Sequence, residues 1–276
     1  MDTDSKLNLR PNLPSLASCA LLLALCTSAR AQSPPVPQSS TALPEAPQPQ
    51  AQDQDAVTLR NTPRNILNDQ AAIWTSPARL RPRDLEWLVP LAVATGAAIA
   101  TDHRTVTEVV SYDRSFDQAN TNASNVMIGG FIAAPVLLYG WGHFEQSEHA
   151  REAGILGGEA LLDGVVVEQG LKLVFWRERP NTDGARGHFF QSGAGIDSSF
   201  PSSHSVLAWA AAASIASEYP SRWTQIFVYS AATGVSLTRV MGQEHFPSDV
   251  LVGSAAGWLV GRYVTRHHHR GSRAAH

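Results

Sequence analysis

Cysteine is nearly missing from this chain of 276 residues. Cys19 and Cys26 are the two present, and both lie in the first 26 residues. The rest of the chain therefore cannot build a disulfide framework or a cysteine-based zinc site. Charge is also scarce, with 16% Asp, Glu, Lys and Arg where about 25% is usual in a soluble domain. There is no basic excess: 21 basic residues face 24 acidic ones, a formal charge of −3. That balance argues against a general nucleic-acid binder. The 20 glycines and 17 prolines follow no period, which excludes a collagen-like repeat. The alternation of apolar and polar residues that marks half-buried strands is missing as well. The length suffices for one or two domains with a sizeable core.

The N-terminus has the pattern of an export signal. Lys6 and Arg10 precede a mostly apolar stretch from Leu16 to Cys26, and Ala29-Arg30-Ala31 puts small residues at −3 and −1 of a cleavage site. A signal over residues 1–31 is expected, with cleavage before Gln32. Cys19 precedes the apolar run instead of following it, which argues against a lipoprotein anchor. The mature chain would carry 18 basic and 22 acidic residues, no cysteine, and a single lysine, Lys172. Residues 32–56 are rich in Pro, Gln, Ser and Ala, too poor in large apolar groups to offset chain entropy, and are expected to be a disordered linker. Residues 57–83 read as an extension with one short helix. Thr62-Pro63 marks its start, and Ile66, Leu67, Gln70 and Trp74 share a face that could lie on a membrane surface but is expected to pack on the body.

From residue 84 onward the chain reads as all-α. Six apolar helices are expected over about 84–101, 124–142, 148–177, 203–217, 223–240 and 248–265, with 267–276 a solvated, His-rich basic tail. The breaks carry turn residues, among them Asn120-Thr121-Asn122 and Tyr219-Pro220-Ser221. A membrane span needs about 20 mainly apolar residues. The second helix comes closest; the uncharged runs of the first, fourth and sixth are shorter, which favours core helices of a bundle. Ionisable groups inside a span can also mark a functional site, so both a peripheral protein and a six-span membrane protein stay open.

Three clusters could carry chemistry. In Lys172-Leu-Val-Phe-Trp-Arg-Glu-Arg179-Pro180, Lys172 and Arg179 are seven apart and would share a face if the helix continued to Pro180. Lys172 could equally be a plain surface partner of Glu168 at i−4. In Phe200-Pro201-Ser202-Ser203-His204-Ser205, Pro and Ser mark a helix start, whose N–H groups and dipole suit an anion, with His204 in the first turn. An ordinary Ser cap would look the same. In Thr238-Arg239-Val-Met-Gly-Gln-Glu-His245-Phe-Pro-Ser-Asp249, one helical turn can bring the Asp249 carboxylate to the His245 ring and fix its tautomer. Asp249 could also serve only the helix dipole.

Together the clusters resemble the type 2 phosphatidic acid phosphatase superfamily, which includes bacterial non-specific acid phosphatases and vanadium haloperoxidases. Its pattern is Lys-x6-Arg-Pro, Pro-Ser-Gly-His and Ser-Arg-x5-His-x3-Asp. Lys172, Arg179 and Pro180 fit the first part. Pro201, Ser202 and His204 fit the second, with Ser203 in place of Gly. Arg239, His245 and Asp249 fit the third, with Thr238 in place of Ser. The resemblance covers about residues 84–266 and implies a six-helix all-α core. It also implies that Lys172, Arg179, Arg239, Ser202 and the Ser203 N–H surround a phosphoryl group. His245 would be the nucleophile, Asp249 would orient it, and His204 would be the acid and then the base. Ser203 adds a side chain beside the phosphate, which bears on pocket width.

The implied activity is a phosphatase without metal or cofactor, acting on phosphomonoesters or lipid (di)phosphates, exported and facing the periplasm, with possible inner-membrane association and no nucleic-acid partner. Two other classes fit less well: a vanadium-dependent haloperoxidase, and a non-catalytic phosphate-binding membrane protein. Asp163 and Glu168 are expected to be buried partners of the catalytic cations. His103, His143, His149 and His188 have no role in the resemblance.

Overall fold

The computed structural model describes residues 57–191 and 197–274, and the side chains up to residue 269. The expected signal and linker lie outside the described residues. Among the described residues there are seven α-helices and no strand: α1 (Thr62–Thr75), α2 (Leu85–Arg104), α3 (Arg114–Phe144), α4 (Glu148–Phe175), α5 (Ser203–Glu218), α6 (Arg222–Met241) and α7 (Pro247–Ala274).

Short polar side chains start three of these helices. Asp113 accepts from the Ser115 and Phe116 amides at α3, Ser147 from Ala150 at α4, and Ser221 from Thr224 at α6. These caps satisfy amides that the first turn leaves unpaired. Asn120-Thr121-Asn122, expected to be a break, instead lies inside α3, which starts at Arg114. The Asp113 cap fixes the start there, and local polarity does not interrupt a helix already nucleated.

The small helix α5 is the centre of the bundle. Val206, Ala208 and Ala210 through Ala213 are fully buried. It lies against α7 at very short range. A Cβ on Gly257 would stand 2.1 Å from the Val206 carbonyl oxygen, and one on Gly261 would stand 2.2 Å from that of Ala210. Glycine spaced by one turn thus lets two backbones touch. This contact sets the N-terminus of α5, with Ser202 and His204, beside the N-terminus of α7, with Asp249.

α2 differs from the core helix expected there. Asp102 is its one buried residue, while Trp87, Val89, Val93 and Ile99 are exposed. α3 likewise exposes Val126, Ile132, Val136, Leu137 and Trp141. The spans Pro82–Val109 and Arg114–Phe144 are long and apolar enough to cross a membrane, and the most apolar window of the first is not buried at all.

α1 packs on the body through part of the face read from the sequence, Gln70 and the Trp74 ring against Gly170, and through polar neighbours of that face. Leu67 is 72% exposed. Asn65 donates to Glu159 Oε1 at 3.0 Å and Gln70 to Asp163 Oδ1 at 2.7 Å, while His268 meets Asp69 at 2.7 Å. Asp163 therefore serves α1 and not the catalytic cations. The end of α7 is also not a solvated tail: the helix runs on through residues 267–269, and His268 and His269 contact buried carboxylates of other helices.

Candidate active site

α4 ends earlier than expected, at Phe175. Trp176 takes a left-handed conformation (φ 38°), and Arg177 to Arg179 lie beyond the helix. Lys172 and Arg179 thus do not share a helix face; the chain turns at Trp176 and carries Arg179 toward α6. Lys172 stays on the last turn of α4, buried, 2.8 Å from Glu168 Oε1 and 2.8 Å from Ser203 Oγ. Glu168 also accepts from Ser203 Oγ at 2.5 Å. The side chain that replaces glycine at 203 is therefore drawn to the Lys172–Glu168 pair.

Arg179 and Arg239 come from different elements and meet on a single atom. Glu244 Oε2 is 3.0 Å from Arg179 Nη1 and 3.2 Å from Arg239 Nη2. Arg239 Nη1 also donates to Ser124 Oγ of α3 at 3.1 Å. Two buried donor-bearing atoms of the motifs have no hydrogen-bond partner: Arg239 Nε and Ser202 Oγ. Buried polar atoms are nearly always paired, so two orphans in one constellation suit a ligand rich in acceptors. Ser202 precedes α5 without capping it, and its own amide donates to the Asp249 carbonyl at 3.1 Å.

His245 is buried, and its Nδ1 lies 2.7 Å from the Ser199 carbonyl. A carbonyl only accepts, so Nδ1 carries the proton and Nε2 keeps its lone pair. Burial lowers the ring's proton affinity, with Asp249 opposing and the two arginines adding to the effect. Asp249 does not bond the ring directly; its Oδ2 is 3.8 Å from Nδ1. Ser199 stands between them, its hydroxyl donating to Asp249 Oδ2 at 2.5 Å. Asp249 also accepts from the Phe246 amide at 2.8 Å and from Arg177 Nη1 at 2.6 Å. One carboxylate thus fixes the start of α7, the Ser199 loop and Arg177 together.

His204 Nε2 lies 3.0 Å from Asn125 Oδ1 of α3. Burial and the surrounding positive groups, Arg239, His245, Arg179 and Lys172, pull its pKa down to about 3. Contacts join the three motifs directly: Lys172 to Ser203, and Arg179 and Arg239 through Glu244.

Several supporting residues escaped the sequence reading: Arg177, Asp102, Ser199, Ser248, Asn125, Ser124 and Glu244. Arg177 was visible inside the first cluster, two positions before Arg179. Glu244 and Ser248 were visible inside the third cluster, and Ser199 stands one residue before the second; Asp102, Ser124 and Asn125 have no spacing to the motifs and are joined to them only by the fold.

Residues 153–273 match the family model described as the PAP2 superfamily. A curated protein, lipid A 1-phosphatase from Porphyromonas gingivalis, is 35% identical over 106 residues, which cover 38% of this chain and 21% of that protein. No solved structure matches the chain significantly. The matched stretch, a little under half of the chain, holds every motif residue from Lys172 to Asp249, and over it the chain is similar to the PAP2 superfamily.

Proposed function

We propose that this chain is a metal-independent phosphatase that removes phosphate from a membrane lipid through a phosphohistidine on His245. The observation that carries this reading is the meeting of Arg179 and Arg239 on Glu244 Oε2. A phosphoryl oxygen is the same kind of charged acceptor. In replacing Glu244 it would gain both guanidinium groups, and the unpartnered Arg239 Nε and Ser202 Oγ can complete the cradle. A phosphoryl group in transfer spreads charge over three equatorial oxygens, which fixed donors and cations stabilise.

In the first step His245 Nε2 attacks phosphorus. The N–P bond forms, the P–O bond to the leaving group breaks, and His204 delivers its proton to the leaving oxygen. In the second step His204 takes a proton from water, the new P–O bond forms and the N–P bond breaks, returning phosphate and free His245. A pKa near 3 leaves His204 neutral among the bare cations. A phosphoryl dianion set among them offsets their charge and restores the ring's proton affinity. Asp249 acts on His245 through Ser199 and through the charge it places behind the ring.

Lipid is the substrate class that the surface favours. Asn125 and Ser124 of α3 touch His204 and Arg239, and the next residue, Val126, is 77% exposed. Leu173 and Val174, beside Lys172, are also exposed. The lipid A 1-phosphatase relative agrees with a phosphorylated lipid. The export signal expected over residues 1–31 would place the site on the outer side of the inner membrane, facing the periplasm.

The test presents the purified full chain, in vesicles, with a synthetic lipid phosphate and with p-nitrophenyl phosphate in excess EDTA at 25 °C. Phosphate release from both, with the larger kcat/KM for lipid, is expected. Activity that appears only on adding Mg²⁺ or Zn²⁺ would overturn metal independence, and equal kcat/KM values would overturn the lipid preference.

A further inference from the structure

The last turns of α7 lie at the opposite end of the bundle from the phosphate cradle. Asp249 and Arg266 are seventeen residues apart on this helix, about 26 Å at 1.5 Å per residue. That is close to the ~30 Å hydrocarbon core of a bilayer. At this far end a cleft of about 400 Å³ is lined by Ser217 of α5, Gln225 of α6, and Arg262, Thr265, Arg266 and His269 of α7. Arg262 and Arg266 stand one turn apart, where like charges repel. Among the described residues neither has a hydrogen bond or an ion pair. Arg262 instead lies over the Trp258 ring, 4.8 Å from its centroid. A guanidinium stacked in this way keeps its N–H edges free for an anion. His269 Nε2 faces Glu218 Oε2 at 3.4 Å, and its Nδ1 is buried without a partner.

The cleft continues into apolar surface. Gln225 also opens a groove of about 600 Å³ along α6, lined by Ile226, Tyr229, Thr233 and Leu237. Gln225 to Leu237 is twelve residues, about 18 Å, a little more than half of the hydrocarbon core. Trp223 and Phe227 beside it are 79% and 74% exposed. α6 packs beside α3 through Val228, Ala232, Ile128 and Phe131. The groove therefore adjoins a helix long and apolar enough to cross a membrane.

We propose that the cleft and groove bind an anionic phospholipid of the leaflet opposite the phosphate cradle. Its phosphodiester lies between Arg262 and Arg266, which can each present a fork of donors to phosphate oxygens, and one acyl chain runs along α6. A soluble anion would use the cleft and leave the groove empty. A zwitterionic lipid would fill the groove but bring its own cation beside the arginines. Basic pockets between helices at a membrane face take anionic headgroups for this reason. The ligand is a diester held about 26 Å along α7 from Asp249, so this site does not depend on the phosphatase reading.

The test uses the full chain purified in a non-ionic detergent. It is titrated with phosphatidylglycerol, with phosphatidylcholine of the same chains and with glycerol 3-phosphate. Bound lipid is counted by native mass spectrometry, and Tm is followed. One phosphatidylglycerol per chain is expected, with a rise in Tm. Phosphatidylcholine should bind about 10-fold more weakly, and glycerol 3-phosphate more weakly still. The double variant Arg262→Gln with Arg266→Gln should lose about 10-fold in affinity for phosphatidylglycerol and the rise in Tm. Neither arginine is ion-paired among the described residues, so the fold should survive, which circular dichroism checks. Arg222→Gln, exposed at the start of α6 and outside the cleft, should bind as the wild type does. Absent binding, equal affinity for the two lipids, glycerol 3-phosphate binding as tightly as phosphatidylglycerol, or unchanged affinity in the double variant would overturn the proposal. A loss in Arg222→Gln equal to that of the double variant would also overturn it, since it would show diffuse charge in place of a site.

Discussion

Arg177 Nη1 stands 2.6 Å from Asp249 Oδ1, with both side chains buried. The same guanidinium reaches Ser248 Oγ at 2.7 Å, Asp102 Oδ2 at 2.8 Å and the Gly187 carbonyl at 3.1 Å, between the rings of Phe189 and Phe246. One side chain therefore ties α2, the loop after α4 and the start of α7, and stands behind the Asp249–Ser199–His245 chain. Removing it strands two buried carboxylates. Arg177→Gln should lower unfolding stability by about 3–5 kcal/mol, the range for breaking a buried pair. Arg177→Lys should recover little, because an ammonium does not reproduce the planar fork. Urea denaturation of both variants checks this.

Lys172 and Glu168 separate fold from catalysis. Lys172→Gln alone should slow turnover about 10²–10³-fold, as for loss of one donor to a transition-state oxyanion. It should also lower Tm, because it leaves Glu168, at 3% side-chain exposure, without its cation. The double variant Lys172→Gln with Glu168→Gln should restore Tm and leave turnover low. Recovery of activity together with Tm would make Lys172 a structural partner only.

Glu244 competes for the arginines that the proposed substrate needs. Its pair with Arg179 is about a quarter exposed, so the contact contributes on the order of 1 kcal/mol. Glu244→Gln should tighten inhibition by inorganic phosphate by about five-fold, measured as Ki at constant pH. An unchanged Ki would mean that the arginines do not receive the anion.

The three motifs were legible because each combines residue types whose chemistry is specific and whose spacing is local. The Lys172-to-Pro180 interval suggested a shared helix face that is not there, since the chain leaves the helix in a left-handed turn at Trp176. The helices from α4 to α6 were legible from apolar runs and flanking turn residues. The start of α3 was not, because Asn120-Thr121-Asn122 reads as a turn and only the Asp113 cap shows otherwise. Asp102 and Asn125 could not be read at all. Each is a common residue in an unremarkable context, and its part in the site exists only once α2 and α3 meet the rest of the bundle. The closeness of α5 and α7 was written in Gly253, Gly257 and Gly261, a four-residue period in an otherwise featureless apolar run.

α1 should dock more weakly as pH rises. Burial raises Asp163 to about 7, with its bond to Gln70 opposing and Asp69 and Glu159 adding repulsion. The folded chain then holds a proton that the unfolded chain releases near 3.8, so this group's contribution to stability falls as pH climbs from about 4 through 7. Asp163→Asn should flatten that dependence and raise Tm at pH 8 by ~2–4 °C while changing it little at pH 4. Calorimetry in EDTA at both pH values is the check.

The phosphoenzyme on His245 is the most direct test of the proposed mechanism. The full chain carrying His204→Ala would be mixed with a ³²P-labelled substrate bearing an activated leaving group, then quenched in base within milliseconds. With proton donation less needed in the first step and the base missing from the second, the intermediate should accumulate. The expected result is label bound to protein, stable in base and lost in acid, mapped to His245 and absent from the double variant with His245→Ala. Turnover without any protein-bound label, or label that survives in the His245→Ala background, would contradict the proposal.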